Sequence, residues 1–325
     1  MLHITDAFSR IGEENAFAVL ARATELQRQG KDIINLGIGQ TDFRTPENIV
    51  EAAIKALKDG HHGYTPATGI LPLREAVAAD LYKRFGVEVS PELVMIVPGG
   101  KVTMFMAILM FGEPGAEILY PDPGFPIYES MVRYQGAKAV PVKLQESRGF
   151  SLDVGELAGK LTDRTKMVIL NTPHNPTGRV FTREELQHVA DLALEHDLTV
   201  VTDEVYEHLV FDGAEHLALA SFPGMRDRTL VISSGGKTFN TTGWKIGWMC
   251  GPASLVAAAR TAKQFLTYVN GGPFQPAIAV GLGLPDSFFA GLGADLQAKR
   301  DRLVPGLIEA GFEVYPTSST YFVTA

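Results

Sequence analysis

The sequence predicts an α/β fold: a mostly parallel sheet covered by helices on both faces. Three features carry the prediction. Continuous apolar runs of about five residues recur along the middle of the chain, as strands buried on both faces require. Helical patterns with caps and stops alternate with those runs. A glycine or a polar residue stands at or just past the carboxyl end of several runs, where open sheets of this kind bind ligands.

The elements follow in chain order. Residues 13–29 form an amphipathic helical pattern closed by Gly30. A second helix starts at Thr45-Pro46, with proline at its first helical position, and stops near Gly60. A third, over 72–85, puts Leu73, Val77 and Leu81 on one face and ends before Gly86. The run 93–97 reads as a strand leading through Gly99-Gly100 into a helix. Its apolar part, 103–111, is too short to span a bilayer and reads as a core helix, with Met104, Met106 and Met110 as filler. The run 117–120 is a strand followed by Pro121-Asp122-Pro123-Gly124 and a helix. After the strand 166–170 comes a turn-rich segment to Gly178, then Thr182-Arg183-Glu184-Glu185, a capping box opening a helix to about residue 196. Strands over 198–202 and 229–233 end at Asp203 and Ser234, and 246–250 is a further strand. The chain is then helical until two short strand candidates, 312–315 and 321–324, which begin a smaller α+β unit. The expected organisation is an N-terminal arm with part of the small domain over 1–44, a large domain over 45–284 and the rest of the small domain, incomplete at its end, over 285–325.

Composition narrows the function classes. A hydrophobic content of 46% supports a well-cored chain and excludes wholesale disorder. The net charge of -8, with no Lys/Arg run, argues against a nucleic-acid partner. With Cys250 as its single cysteine the chain forms no internal disulfide, which fits a reducing cytoplasm. Residues 1–10 lack the apolar core of a signal peptide, and no run suits a membrane span. The eight histidines show no metal-ligand spacing.

Gly99, Asn171, Asp203 and Ser234 all fall at strand ends and are expected to converge on one crevice. Within Ser233-Ser234-Gly235-Gly236-Lys237, small residues let backbone and one amine approach a flat anionic ligand, and such an amine can form a Schiff base with a carbonyl cofactor. Taken singly, Lys237 also reads as an ordinary loop lysine, Asp203 as a helix N-cap and Asn175 as a turn residue.

Taken together, three segments resemble the class I/II aminotransferases, pyridoxal 5′-phosphate (PLP) enzymes of fold type I. They are Ser234-Gly235-Gly236-Lys237, Asn171-Thr172-Pro173-His174-Asn175-Pro176-Thr177-Gly178 and Thr202-Asp203-Glu204-Val205-Tyr206. The resemblance extends from Asn35-Leu36-Gly37 to Tyr321-Phe322. Gly243-Trp244-Lys245 is similar to the kynurenine/glutamine and N-succinyldiaminopimelate aminotransferase subgroups.

The resemblance implies a role for each residue. Lys237 is the Schiff-base lysine and, once displaced by substrate, the proton shuttle. Asp203 pairs with the pyridine nitrogen, and Tyr206 and Asn175 donate to the ring oxygen. Gly99, Gly100 and Lys101 at a helix start hold the phosphate together with Ser234 and Lys245. Phe125 stacks on the ring. Gly39 meets the substrate carboxylate, with Asn175 beside it. Tyr64 reaches the partner subunit's phosphate, which implies a homodimer. His174 is read as a turn residue. The implied activity is transfer of an amino group from an L-amino acid to a 2-oxo acid. A PLP carbon–sulfur β-lyase uses the same residues, and an inactive PLP-binding scaffold is the non-enzymatic alternative.

Two departures from the family pattern carry expectations of their own. Thr41 stands where proline is usual, which predicts a looser loop around Gly39. The sequence ends at Ala325, whereas family members continue to an arginine that clamps the substrate α-carboxylate. Arg260, Arg300 and Arg302 lie in helical stretches before Tyr321-Phe322 and do not take that role. The expectation is PLP binding with weak turnover, exposed apolar edges near Phe312 and Phe322, and a tendency to aggregate.

Overall fold

The computed structural model describes residues 4–12 and 15–325. The strands are β1 Val94–Val97, β2 Glu117–Asp122, β3 Lys138–Gln145, β4 Ser151–Leu152, β5 Thr165–Asn171, β6 Thr199–Asp203, β7 Thr229–Ser234 and β8 Gly247–Cys250. Among the described residues they form one sheet in the order β1-β8-β7-β6-β5-β2-β3-β4. The strands β3, β2, β5, β6 and β7 run parallel. β8 is reversed and pairs antiparallel with both β7 and β1, and β4 is a short antiparallel addition to β3.

The helices are α1 Asn15–Arg28, α2 Glu47–Lys58, α3 Leu71–Phe85, α4 Gly100–Phe111, α5 Ile127–Gln135, α6 Val154–Lys160, α7 Arg183–Glu195, α8 Gly235–Thr238, α9 Ala253–Leu266, α10 Phe274–Leu282 and α11 Asp286–Glu309. The expected start of the first helix falls on Glu13 and Glu14, which lie outside the described residues. The capping box before α7 is present in full. Thr182 Oγ1 accepts from the Glu185 amide at 3.2 Å, and Glu185 Oε2 accepts from the Thr182 amide at 2.7 Å.

The continuous apolar runs are explained by cover on both faces. Along β5, Met167 and Ile169 pack with Met104, Ile108 and Tyr128 on one side, while Val168 and Leu170 pack with Leu186 and Val189 of α7 on the other. Alternate side chains of a strand point to opposite faces, so both sets must be apolar. At the amino ends, buried Glu117 of β2 accepts from Arg164 at 2.8 Å, Thr162 at 2.8 Å and Lys138 at 3.1 Å, tying β2 to the starts of β5 and β3. No single helix among the described residues is long and apolar enough to cross a membrane.

The end of the chain differs from the expectation. Residues 312–315 and 321–324 form no paired strands; one amide of Tyr315 donates to Thr324 at 3.0 Å, and Ser319 makes an isolated bridge with Val210. The backbone between them is taken up by two loops, one at Gly178 and one over 209–211. The Ser318 amide donates to Gly178 and that of Thr320 to Leu209, while Phe211 donates to Ser318. Phe312 is exposed as expected, but Phe322 is not: its ring packs against Tyr206 at 5.9 Å between centroids.

Candidate active site

Strand register brings the predicted residues level with one another. Asn171 at the end of β5 lies opposite Asp203 at the end of β6, and Asp203 lies opposite Ile232 of β7. Ser234, the last residue of β7, pairs with Gly247, which pairs in turn with Val97 at the end of β1. A cleft of about 560 Å³ opens over these ends. Gly247 lets the segment after β1 close in, because a Cβ there would stand 2.8 Å from Gly99 Cα. Gly99 itself has φ +83°, a conformation side chains rarely adopt. The chain then enters α4, whose first-turn amides have no intrahelical acceptor and face the cleft through Gly100 and Lys101.

The structure gathers Gly39, Gly99, Gly100, Lys101, Phe125, Asn175, Asp203, Tyr206, Ser234, Lys237 and Lys245 around this cleft. Tyr64 stands apart. Its side chain is 84% exposed and meets Tyr268 edge-on at 5.2 Å. Among the described lining residues, three lysines (Lys101, Lys237, Lys245) face one carboxylate, Asp203. That balance suits a ligand with a strongly anionic end and one cationic or protonated point.

The Asp203 carboxylate is buried, and burial pushes its pKa up to about 6, against the pull of a hydrogen bond from Tyr128. Tyr128 Oη donates to Oδ2 at 2.9 Å, while Oδ1 is buried with no hydrogen-bond partner among the described residues. A buried, unpaired carboxylate oxygen costs stability unless a donor arrives. The ring nitrogen of PLP is such a donor.

Tyr206 is buried within Tyr321 and Phe322, and burial raises its phenol well above the usual range, so it stays a neutral donor. Its hydroxyl also interacts with the side chains of Tyr321 and Asn175. Asn175 is set by Asn171, whose Oδ1 accepts the Asn175 amide at 2.7 Å while its Nδ2 donates to the Asp203 carbonyl at 2.8 Å. His174, buried beside it, shares a 2.8 Å hydrogen bond with Thr177, and burial pushes it down to about 3. It is a neutral turn residue, as the sequence suggested.

Lys237 lies on α8, the single turn that follows β7, and its Nζ donates to the Gly39 carbonyl at 3.2 Å. The same carbonyl accepts from Tyr321 Oη at 2.8 Å. Gly39 also packs tightly, since a Cβ there would lie 2.8 Å from the Phe322 ring. The expected looseness of this loop is therefore not seen: Thr41 is buried and Gly39 is held from two sides. Behind the lysine turn, buried Glu207 accepts from Ser233 Oγ at 2.8 Å, and that oxygen accepts the Ser234 amide at 2.6 Å. Glu207 also joins Asp80 and His208 in a buried trio, with His208 Nε2 3.4 Å from Asp80 and 3.5 Å from Glu207. Arg84 binds Asp80 at 2.6 Å from the far side.

The sequence reading missed Tyr128, Tyr321 and Glu207 as parts of the site, and it placed Asn171 in the crevice without the clip it makes to Asp203 and Asn175. Tyr128 carried one available signal: it follows Phe125 by three residues at the start of a helix, so both can face one way. The arginines considered for the carboxylate are elsewhere. Arg260 is on α9 and Arg302 on α11, while Arg300 is bound to Asp212 at 2.7 Å and to Asp301 at 2.6 Å.

Comparison with known proteins agrees with this geometry. The family model for aminotransferase class I and II matches residues 31–325. A probable N-succinyldiaminopimelate aminotransferase of Mycobacterium tuberculosis is 47% identical over 294 residues, covering 90% of this chain and 74% of the relative. Kynurenine–oxoglutarate transaminase 1 of Homo sapiens is 37% identical over 314 residues, with 90% and 74% covered. The solved N-succinyldiaminopimelate aminotransferase from Mycobacterium tuberculosis superposes with a TM-score of 0.93 at 44% identity, over 98% of this chain and 82% of that one. The aspartate aminotransferase from Thermus thermophilus with maleate gives 0.95 at 34% identity, over 99% and 85%. These relatives do not favour the lyase or inactive-scaffold alternatives. The fold type I sheet, the convergence of Lys237 and Asp203 on the cleft at its strand ends, and this breadth of match lead to one conclusion: the chain belongs to the class I and II aminotransferases, PLP enzymes that transfer amino groups between amino acids and oxo acids.

Proposed function

We propose that this cleft performs transamination with Lys237 as the amine that would hold PLP and move the proton. One observation carries the reading: Asp203, which lines the same cleft as Lys237, keeps a buried oxygen without a partner. When bound, PLP supplies an electron sink conjugated with the substrate amino group. The residues do the rest. Asp203 would pair with the ring nitrogen, and Tyr206 and Asn175 would donate to the ring oxygen. The amides at the start of α4, with Lys101, Ser234 and Lys245, would hold the phosphate. Phe125 would lie against the ring. Once released by substrate, Lys237 Nζ would take the proton from the substrate Cα and carry it until it is given back, with the Gly39 carbonyl within reach as an acceptor for the freed amine. Gly39 and Asn175 would meet the substrate carboxylate.

The finer reading includes a homodimer in which Tyr64 serves the partner's phosphate, and a cytoplasmic location. Exposure of Tyr64 away from its own cleft supports the first, and a single buried cysteine supports the second. The test of the central claim is borohydride reduction of the PLP-loaded protein followed by peptide mapping. The label is expected on Lys237. A label on Lys101 or Lys245 instead would overturn the assignment.

A further inference from the structure

We propose that Tyr128 is a positioning residue for the Asp203 carboxylate: it ties Oδ2 and so presents Oδ1 to the ring nitrogen of PLP. The inference rests on the reading of Asp203 given above.

The geometry leaves the phenol little choice. Tyr128 stands at the second position of α5 and is fully buried, packed in the cluster that includes Met104, Ile118 and Val132. Its ring meets Phe125 edge-on at 6.1 Å. A fully buried tyrosine hydroxyl needs an acceptor, and here it is Asp203 Oδ2 at 2.9 Å. The carboxylate is thereby held at one oxygen by a rigid side chain from a helix, while its own backbone is fixed at the end of β6. A carboxylate free to rotate offers either oxygen in any plane. One pinned at Oδ2 offers Oδ1 in a single direction, which is what a ring of fixed orientation needs.

The charge balance points the same way. The groups that act on Asp203 are Tyr128 from α5, Lys237 from α8, and the Val205 backbone amide with Glu204, Tyr206 and Glu207 from its own segment. Burial and Glu204 favour the protonated acid, and the Tyr128 hydrogen bond is the largest opposing contribution. Burial and the Asp203 charge raise Tyr128 well above the ordinary phenol range, so it remains a donor wherever the enzyme works. Removing the hydroxyl would take away the one side-chain hydrogen bond to Asp203 and leave only the Val205 amide and Lys237 to hold its negative charge.

The test compares two ligands, PLP and its analogue with the ring nitrogen replaced by C–H, by equilibrium dissociation constants in wild type and Tyr128→Phe. The variant is expected to bind PLP about tenfold more weakly and the analogue as wild type does, since only the first uses Asp203. Loss of affinity for both ligands alike, or for neither, would overturn the proposal. The same substitution in an Asp203→Asn background is expected to add nothing; a further tenfold loss there would also overturn it, because Tyr128 would then act through packing. A wild type that does not prefer PLP over the analogue would instead refute the reading of Asp203 itself.

Discussion

Asn171→Leu tests how the strand ends are held together. Asn171 is 1% exposed and makes three hydrogen bonds: from Nδ2 to the Asp203 carbonyl at 2.8 Å and to the Pro173 carbonyl at 3.2 Å, and at Oδ1 from the Asn175 amide at 2.7 Å. Leucine has a similar volume, so the substitution removes the bonds with little change in packing. Each bond contributes about 1 kcal/mol net, which gives about 3 kcal/mol for the set; the Asp203 carbonyl keeps the Thr172 amide at 3.2 Å, but the Asn175 amide and the Pro173 carbonyl are left unpaired, which raises the loss to about 3–5 kcal/mol. Against a total stability of about 5–15 kcal/mol, that is a large displacement of a urea unfolding midpoint. The turn carrying Asn175 would also lose its tie to β6, so the amide that meets Tyr206 would wander and PLP affinity would fall with stability. Urea unfolding followed by circular dichroism, with PLP titration of the same samples, measures both. A loss below about 1 kcal/mol with unchanged PLP affinity would refute the account of Asn171 as the clip between β5, β6 and the Asn175 turn.

Two further outcomes are expected. Tyr64→Phe homodimers should bind PLP about tenfold more weakly, and mixed dimers with Lys237→Ala subunits should regain one tight site, because the intact lysine then borrows an intact Tyr64; a wild-type monomer of full affinity would sink the shared-site reading. Arg164, then Thr162 and Lys138, hold Glu117 at about 2, below its ordinary 4.5. A folded-state pKa below the unfolded one contributes stability that is present above pH 4.5 and lost as pH falls towards about 2. Glu117→Gln should flatten that acid limb in urea midpoints taken across the window, whereas parallel acid losses in variant and wild type would count against the pinned carboxylate.

What the sequence revealed, and what it hid, follow from where each residue takes its orders. The strands β5, β6 and β7 were legible because both their faces are covered, so their central positions run continuously apolar. β3 was not, because buried Val140, Val142 and Leu144 alternate with less buried Ala139, Pro141 and Lys143 near the sheet edge, and no long apolar run forms. The reversal of β8 was equally hidden: an apolar run reads the same in either direction. Asp203, Ser234 and Lys237 were legible because a strand end dictates their place, and the segments that carry them match the family. Tyr128 acts on Asp203 only because α5, packed on β2 and β3, brings its first turn to the end of β6, and Glu207 steadies Ser234 only because its turn folds back under β7. Tyr321 reaches Gly39 from 282 residues away. Such partners are fixed by the approach of one element to another, which local pattern does not encode. The site therefore divides in two. Asn171, Asp203 and Ser234 stand at strand ends, where the backbone aims them into the cleft. Groups that hold those first groups in register arrive from helices and loops laid across the sheet, and Asp203 shows why both are needed: its strand delivers the carboxylate to the cleft, but only the phenol from α5 decides which oxygen is left to act.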